Sequence, residues 1–218
     1  MLYLDVPFHD KDEAKKLGAW WDPEKKKWYV KNQKDYPQFI KWILKDEEEV
    51  CILCDYLYIV VGMRRCYKCG KDTEVIAFGV EKYCMLIDET VFANVETNYE
   101  WSDNEIHIAS MISPLNKELL KFLSDKYRFR MGYSHTVQDS YMANHCSHCN
   151  ALQGHFFLHG EVDSPFFIDS REKAHDLKLY KVKLDSDMVV EADIGYGSED
   201  SLIKKYAQIF DLKMSSEG

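Results

Sequence analysis

The chain has 218 residues, 46% apolar and 14% aromatic, enough for a sizeable core in one or two domains. Its net charge of −9 argues against nonspecific nucleic-acid binding by the chain as a whole, and no apolar stretch approaches the length of a membrane span. The charge is uneven: residues 1–45 carry ten Lys against seven Asp and Glu, whereas residues 46–218 carry 18 Lys and Arg against 30 acids. The N-terminal residues lack the basic region of an export signal, and the seven cysteines are odd in number and grouped mostly in x-x pairs. A cytoplasmic, reducing compartment with metal rather than disulfides is the expectation.

Residues 2–6 read as a short strand ended by Pro7. Asp10 with Glu13 gives a capping-box start to a helix that runs through Ala14 and Leu17 and stops at Gly18. Trp20-Trp21 and Trp28-Tyr29-Val30 form a hairpin around the turn residues Asp22-Pro23 and the cluster Lys25-Lys26-Lys27. A second helix over 34–45 buries Phe39, Ile40, Ile43 and Leu44. This predicts a small β-α-β-β-α domain over residues 1–46, bounded by the acidic run Asp46-Glu47-Glu48-Glu49.

Residues 51–218 then read as a larger, mostly-β domain, making the whole an α+β protein. Strands are expected at 56–61, 75–80 and 106–110, with turns at Gly62 and around Ser102-Asp103-Asn104. A helix starts at Ser113-Pro114 with Pro at its first position and Leu115, Leu119, Leu120, Phe122 and Leu123 on its apolar side. Residues 133–141 and 151–159 flank a cysteine pair. A short helix at 170–175, strands at 179–184 and 188–194, and a final amphipathic helix over 198–210 capped by Ser198 complete the pattern.

Two stretches organise this larger part: Cys66-Tyr67-Lys68-Cys69-Gly70 and Cys146-Ser147-His148-Cys149-Asn150. Each is a Cys-x-x-Cys pair followed by a residue that tolerates positive φ, as a zinc knuckle requires for its N–H groups to reach the thiolates. Four sulfurs suffice for one closed tetrahedral Zn²⁺ of structural, zinc ribbon-like type, at Cys66, Cys69, Cys146 and Cys149, stapling a 76-residue excursion. Four buried thiols acting as small hydrophobes are the plain alternative. Cys51-Ile52-Leu53-Cys54 with Cys66 and Cys69 also gives an acceptable zinc spacing. Its Ile-Leu interior and following Asp55 favour ordinary cysteines, and Cys84 lies in an apolar run.

The string Leu4-Asp5-Val6-Pro7-Phe8, Lys11-Asp12-Glu13-Ala14-Lys15, Leu17-Gly18-Ala19-x-Trp21-Asp22 and Lys27-Trp28-Tyr29-Val30 resembles a small bacterial domain of unknown function. That domain is also appended to plasmid primase-like and antirestriction-like proteins. The same motif is similar to the fork-DNA-binding domain of HepA-related annealing helicases. The resemblance covers about 45 residues and implies a connection with nucleic acid, with no catalytic residues to carry over. Arg65-Cys66-Tyr67-Lys68-Cys69-Gly70-Lys71, Asn144-His145-Cys146-x-His148-Cys149 and Ala151-Leu152-Gln153-Gly154-x-Phe156-Phe157 likewise resemble a double Cys-x-x-Cys region in bacterial proteins carrying this N-terminal unit. That resemblance supports the zinc assignment and marks Cys51 and Cys54 as an addition.

Lys25, Lys26 and Lys27 would neutralise phosphates of single-stranded or forked DNA while Trp20 or Tyr29 offers a stacking face. Against this, Trp21 and Trp28 read as cross-strand core partners, and the lysines could simply solvate a turn. His145, His148, His155 and His159 crowd the second knuckle, but His159-Gly160-Glu161 follows its cysteines, the reverse of the zinc deaminase order. A four-sulfur site has no open position for water, and nucleophile-elbow, phosphate-loop and His-Glu-x-x-His motifs are absent. Arg128-Phe129-Arg130-Met131-Gly132-Tyr133 is the one basic-aromatic patch of the acidic body, and a buried strand with two solvated arginines is favoured over a binding edge. The reading is a non-enzymatic zinc protein whose basic head binds nucleic acid. A protein-interaction adaptor docking through the acidic body and a zinc-containing nuclease or hydrolase are the alternatives.

Overall fold

The structure is a computed structural model that describes residues 1–44, 47–87 and 98–212. Strand β1 (Leu2–Leu4) buries its alternate residues Leu2 and Leu4. A 3-10 turn, Phe8–Asp10, leads into helix α1 (Lys11–Lys16), and Gly18 ends it with a φ of +99°. Asp10 occupies the N-cap position, but its side chain caps no helix N–H, in contrast to the capping box read from the sequence. Its carboxylate accepts from Trp42 Nε1 at 2.9 Å and pairs with Lys41 Nζ at 3.1 Å, so tertiary partners displace the local one. Strands β2 (Trp20–Asp22) and β3 (Lys27–Val30) enclose a turn in which Asp22 Oδ1 accepts from the N–H groups of Glu24 and Lys25. The expected helix over 34–45 is instead a 3-10 segment, Gln33–Phe39, followed by one α turn, α2 (Ile40–Ile43). Pro37 lies inside it and has no N–H to donate, which breaks the α ladder. Lys45 and Asp46, at the expected helix end and boundary, lie outside the described residues.

Strands β4 (Glu49–Leu53), β5 (Tyr56–Arg65), β6 (Asp72–Val80), β7 (Tyr83–Ile87), β8 (Tyr99–Ser102) and β9 (His107–Ser113) follow. Gly62, expected as a turn, continues β5. A Cβ there would lie 3.0 Å from Pro165 Cβ and 3.2 Å from the Phe166 ring, so glycine serves close packing rather than chain reversal. Helix α3 (Lys117–Tyr127) starts later than Ser113-Pro114 suggested, because Asn116 Oδ1 caps it by accepting from Leu119 N–H at 2.7 Å. It buries Leu119, Leu123 and Tyr127. Arg128 follows at a φ of +55° and Phe129 is buried.

Next come β10 (Arg130–Ser134), β11 (Asp139–His145), β12 (Leu152–Gln153), α4 (Phe156–His159) and α5 (Arg171–Asp176), the last capped by Ser170. Strands β13 (Lys178–Lys183) and β14 (Met188–Gly195) lead to α6 (Ser201–Tyr206). The expected helix over 198–210 stops there, and Gln208–Leu212 forms strand β15. Its run pairs in parallel with β13, from Lys178↔Gln208 to Val182↔Leu212, and Phe210 stacks on Tyr180 at 5.5 Å. The strand gains a hydrogen-bonding edge that a solvent-facing helix end would not have.

The chain divides into two compact units. The first comprises the described residues of Met1–Leu57, Glu81–Asn104 and Lys183–Ala192; the second comprises those of Tyr58–Val80, Glu105–Val182 and Asp193–Gly218. In the first, an antiparallel sheet of order β1-β3-β2 and strands in order β14-β4-β7-β8 share a core. Leu2, Leu4, Val30, Tyr36 and Phe39 pack there with Val50, Ile52, Cys54, Cys84 and Leu86. Buried Asp187 is its polar centre, accepting from Tyr36 Oη, from Gln33 Nε2 at 3.0 Å and from Asp55 N–H at 2.9 Å. The second unit has strands in order β15-β13-β5-β6-β9 and a smaller antiparallel sheet β10-β11-β12. The protein therefore mixes helices and strands and is mostly β. Among the described residues no helix is long and apolar enough to cross a membrane.

Candidate metal centre and aromatic face

The β5–β6 hairpin pairs as far as Arg65↔Asp72, and β11–β12 as far as His145↔Leu152, leaving residues 66–71 and 146–151 as connecting loops. The two loops close in the same way. Cys66 N–H donates to Lys71 O at 2.9 Å and Cys146 N–H to Ala151 O at 2.8 Å. Gly70 and Asn150 donate back to the carbonyls of Cys66 and Cys146 at 2.9 and 3.0 Å. This closure needs positive φ after the second cysteine, and Gly70 has +68° and Asn150 +63°.

The loops bring Cys66, Cys69, Cys146 and Cys149 together, with all four sulfurs within 4.8 Å of one another. Cys66 and Cys149 lie 3.7 Å apart, as do Cys69 and Cys146. A disulfide needs about 2.05 Å. A tetrahedron with metal–sulfur bonds of about 2.3 Å has edges of about 3.8 Å. The arrangement therefore fits a four-thiolate metal site of closed type. Cys66 and Cys146 are buried and the other two half-buried.

The electrostatics favour the thiolate at two of the sulfurs and oppose it at a third. Burial pushes Cys66 up, but N–H groups of Cys69 and Lys68 and the sulfurs of Cys146 and Cys149 bring it down to about 6. Cys146 is also lowered, the N–H groups of Cys149 and His148 outweighing its burial. Cys149 is lowered by the Ala151 N–H, yet desolvation and the three neighbouring sulfurs push it up to about 11. A metal would take the place of the protons these sulfurs otherwise share.

Groups other than the four sulfurs hold the two loops together. Ser147 N–H donates to Thr73 Oγ1 at 3.0 Å, and His148 Nε2 lies 3.0 Å from Asp72 O. Asn144, 5% exposed, accepts from Ile76 N–H and donates to Ile76 O, each at 2.8 Å, so its amide pairs with the β6 backbone as a strand would, next to the Phe78–Val80 stretch that pairs with β9. Gln153 Nε2 donates to Cys66 Sγ at 3.5 Å and to Ala151 O at 2.8 Å. The sequence offered no sign of these roles beyond the neighbourhood of the knuckles.

The histidines take other places. His145 is buried with Nδ1 near the carbonyls of Ala143 and Arg128, and burial followed by the Arg130 charge lowers its pKa. His159 stacks between His155, at 4.7 Å, and Phe166, at 5.0 Å. Glu161 of the His-x-Glu string pairs with Arg64 at 3.7 Å. Among the described residues no histidine or carboxylate joins the four sulfurs at ligand distance. Cys51 faces Met85 and Cys84 faces Ile52 across β4 and β7, and burial pushes both thiols up to about 12. Cys54 is buried and shifted the same way by the same cause.

In the first unit, register places Tyr3 opposite Tyr29 and Tyr29 opposite Trp20, one aromatic row across three strands. Leu2, Leu4 and Val30 alternate with it and are buried, so the row faces outward. Trp20 is 55% exposed and carries Lys31 Nζ over its ring at 3.9 Å, and Lys25 Nζ sits 4.4 Å over Tyr3. Lys27 pairs with Asp5 at 2.9 Å. Lys26, at a φ of +53°, lines the opposite side of the hairpin with Trp21 and Trp28. Those two tryptophans are cross-strand partners meeting edge-on at 5.6 Å, with Trp21 exposed and Trp28 half-buried. Lys25, Lys26, Lys27, Trp20 and Tyr29 are thus split between two faces.

No solved structure matches this chain. Two proteins from Escherichia coli, each called "DNA primase TraC", are 50% and 52% identical to it over 40 residues. Those stretches cover 18% of this chain and only 3% and 4% of the primases. The family described as "Domain of unknown function (DUF5710)" matches residues 1–43, so the N-terminal segment that builds the aromatic row carries that domain.

Proposed function

We propose that this protein binds single-stranded nucleic acid through the outer face of its N-terminal sheet and is not an enzyme. The observation that carries this reading is the row Tyr3-Tyr29-Trp20 flanked by Lys25 and Lys31. Aromatic faces accept bases of any sequence, and lysines at their margins neutralise the phosphates between them. The short similarity to a segment of a DNA primase supports the same reading. Labelled single-stranded DNA titrated at low salt and followed by anisotropy tests it. Trp20→Ala should weaken binding by about 1 to 3 kcal/mol, the worth of one stacked base; an unchanged affinity sends the ligand elsewhere.

The metal in this proposal is one Zn²⁺ held by Cys66, Cys69, Cys146 and Cys149 in a structural role. The 3.7 Å sulfur separations and the closed four-sulfur set support it. Four protein ligands leave no position for an activated water, so the ion would contribute by holding β5–β6 to β11–β12 rather than by chemistry.

A further inference from the structure

On the side of the β2–β3 hairpin away from the aromatic row lies a groove of about 570 Å³. Phe8, Trp21 and Trp28 give it aromatic walls, and Lys11, Lys26 and Lys27 stand at its margins. Phe8 is 82% exposed, and Trp21, though it meets Trp28 edge-on, is still 50% exposed, a large apolar surface. Lys11 Nζ sits 4.0 Å over the Phe8 ring, which places a cation beside the aromatic wall. The volume falls in the range of small-ligand sites.

We infer that this groove takes one unstacked base, with its phosphate, of a single strand whose neighbouring nucleotides lie on the outer row. The inference rests on the nucleic-acid reading given above and adds a second subsite with its own residues. The argument is one of complementarity. The groove combines aromatic faces with a lysine margin, and Asp5, the one carboxylate lining it, is already paired with Lys27. A base with its phosphate presents the matching planar face and anion. The three consecutive lysines then have distinct duties: Lys25 at the row, Lys26 at the groove, and Lys27 in the pair with Asp5.

The test uses the full chain and two probes, a labelled thymidine 12-mer and free thymidine monophosphate, with Phe8→Ser, Trp21→Ala and Trp20→Ala variants. The exposure of Phe8 and Trp21 makes these changes compatible with folding, which the circular dichroism spectrum checks. The expected result is a loss of about tenfold in 12-mer affinity for both Phe8→Ser and Trp21→Ala, beside a separate loss for Trp20→Ala. Wild-type 12-mer affinity in both groove variants, with the Trp20→Ala loss retained, overturns the groove and leaves the row standing. Absence of 12-mer binding in the wild type overturns both. Saturable binding of the monophosphate that the 12-mer does not displace also overturns the inference, in favour of a free nucleotide.

Discussion

Cys66 with Cys149, and Cys69 with Cys146, each face one another at 3.7 Å, so both loops contribute to both short sulfur pairs. Loss of any one sulfur would leave its partner on the opposite loop unpaired and a metal with three protein ligands. Cys69→Ser and Cys149→Ser should each abolish stoichiometric zinc, measured by elemental analysis of the purified chain. Cys51→Ser should leave it unchanged, because Cys51 packs in the other unit's core against β7. Zinc retained in both knuckle variants would refute the four-sulfur site. A second prediction at this scale concerns His159, which burial, with help from His155, lowers to about 4. Its unfolded value is about 6.5, so the unfolded chain binds the proton first. Stability tied to His159 is complete above about pH 6.5 and falls as pH drops toward 4, by about 2 kcal/mol between pH 7 and pH 5. Denaturant titrations at the two pH values should show this loss, and His159→Phe, which keeps the ring on Phe166, should reduce it.

At the scale of elements, β11 joins β6 through a side chain rather than a ladder. The Asn144 amide makes two 2.8 Å bonds to the Ile76 backbone in a buried setting. Asn144→Leu fills similar space but strands both groups, and should cost about 3 kcal/mol in urea unfolding. A cost under about 1 kcal/mol would show that the strands hold without it. This link also marks where sequence reading ends. Strands such as β5 and β6 were legible because Tyr56 to Val61 and Val75 to Val80 are long apolar runs, and the knuckle loops because Gly70 and Asn150 follow their cysteine pairs. Asn144 and Thr73 act on partners some 70 residues away, and no local pattern records that. Helix boundaries failed for the same reason. Asp10 found Trp42 rather than a helix N–H, and Gln208 to Leu212 found the edge of β13. Gly62 misled in another way, since an isolated glycine signals a turn or a close approach equally well, and here Pro165 and Phe166 decide.

For the whole molecule, a net charge of −9 and the proposed nucleic-acid ligand are compatible if the contact is confined to the N-terminal sheet, its outer row and the groove behind it. In the proposed complex Lys25 and Lys31 at the row and Lys26 at the groove limit the phosphates neutralised to about three and keep affinity modest, Lys27 being paired with Asp5. In the proposed complex stacking carries much of the binding, in contrast to proteins that hold nucleic acid by charge alone. The most direct test is the dependence of single-stranded DNA affinity on salt, measured by anisotropy on metal-loaded protein. With about three phosphates neutralised, log affinity should fall with log salt with a slope of about −2, leaving a residual stacking contribution at moderate salt. Binding absent even at the lowest salt, or a slope near zero, would contradict the account.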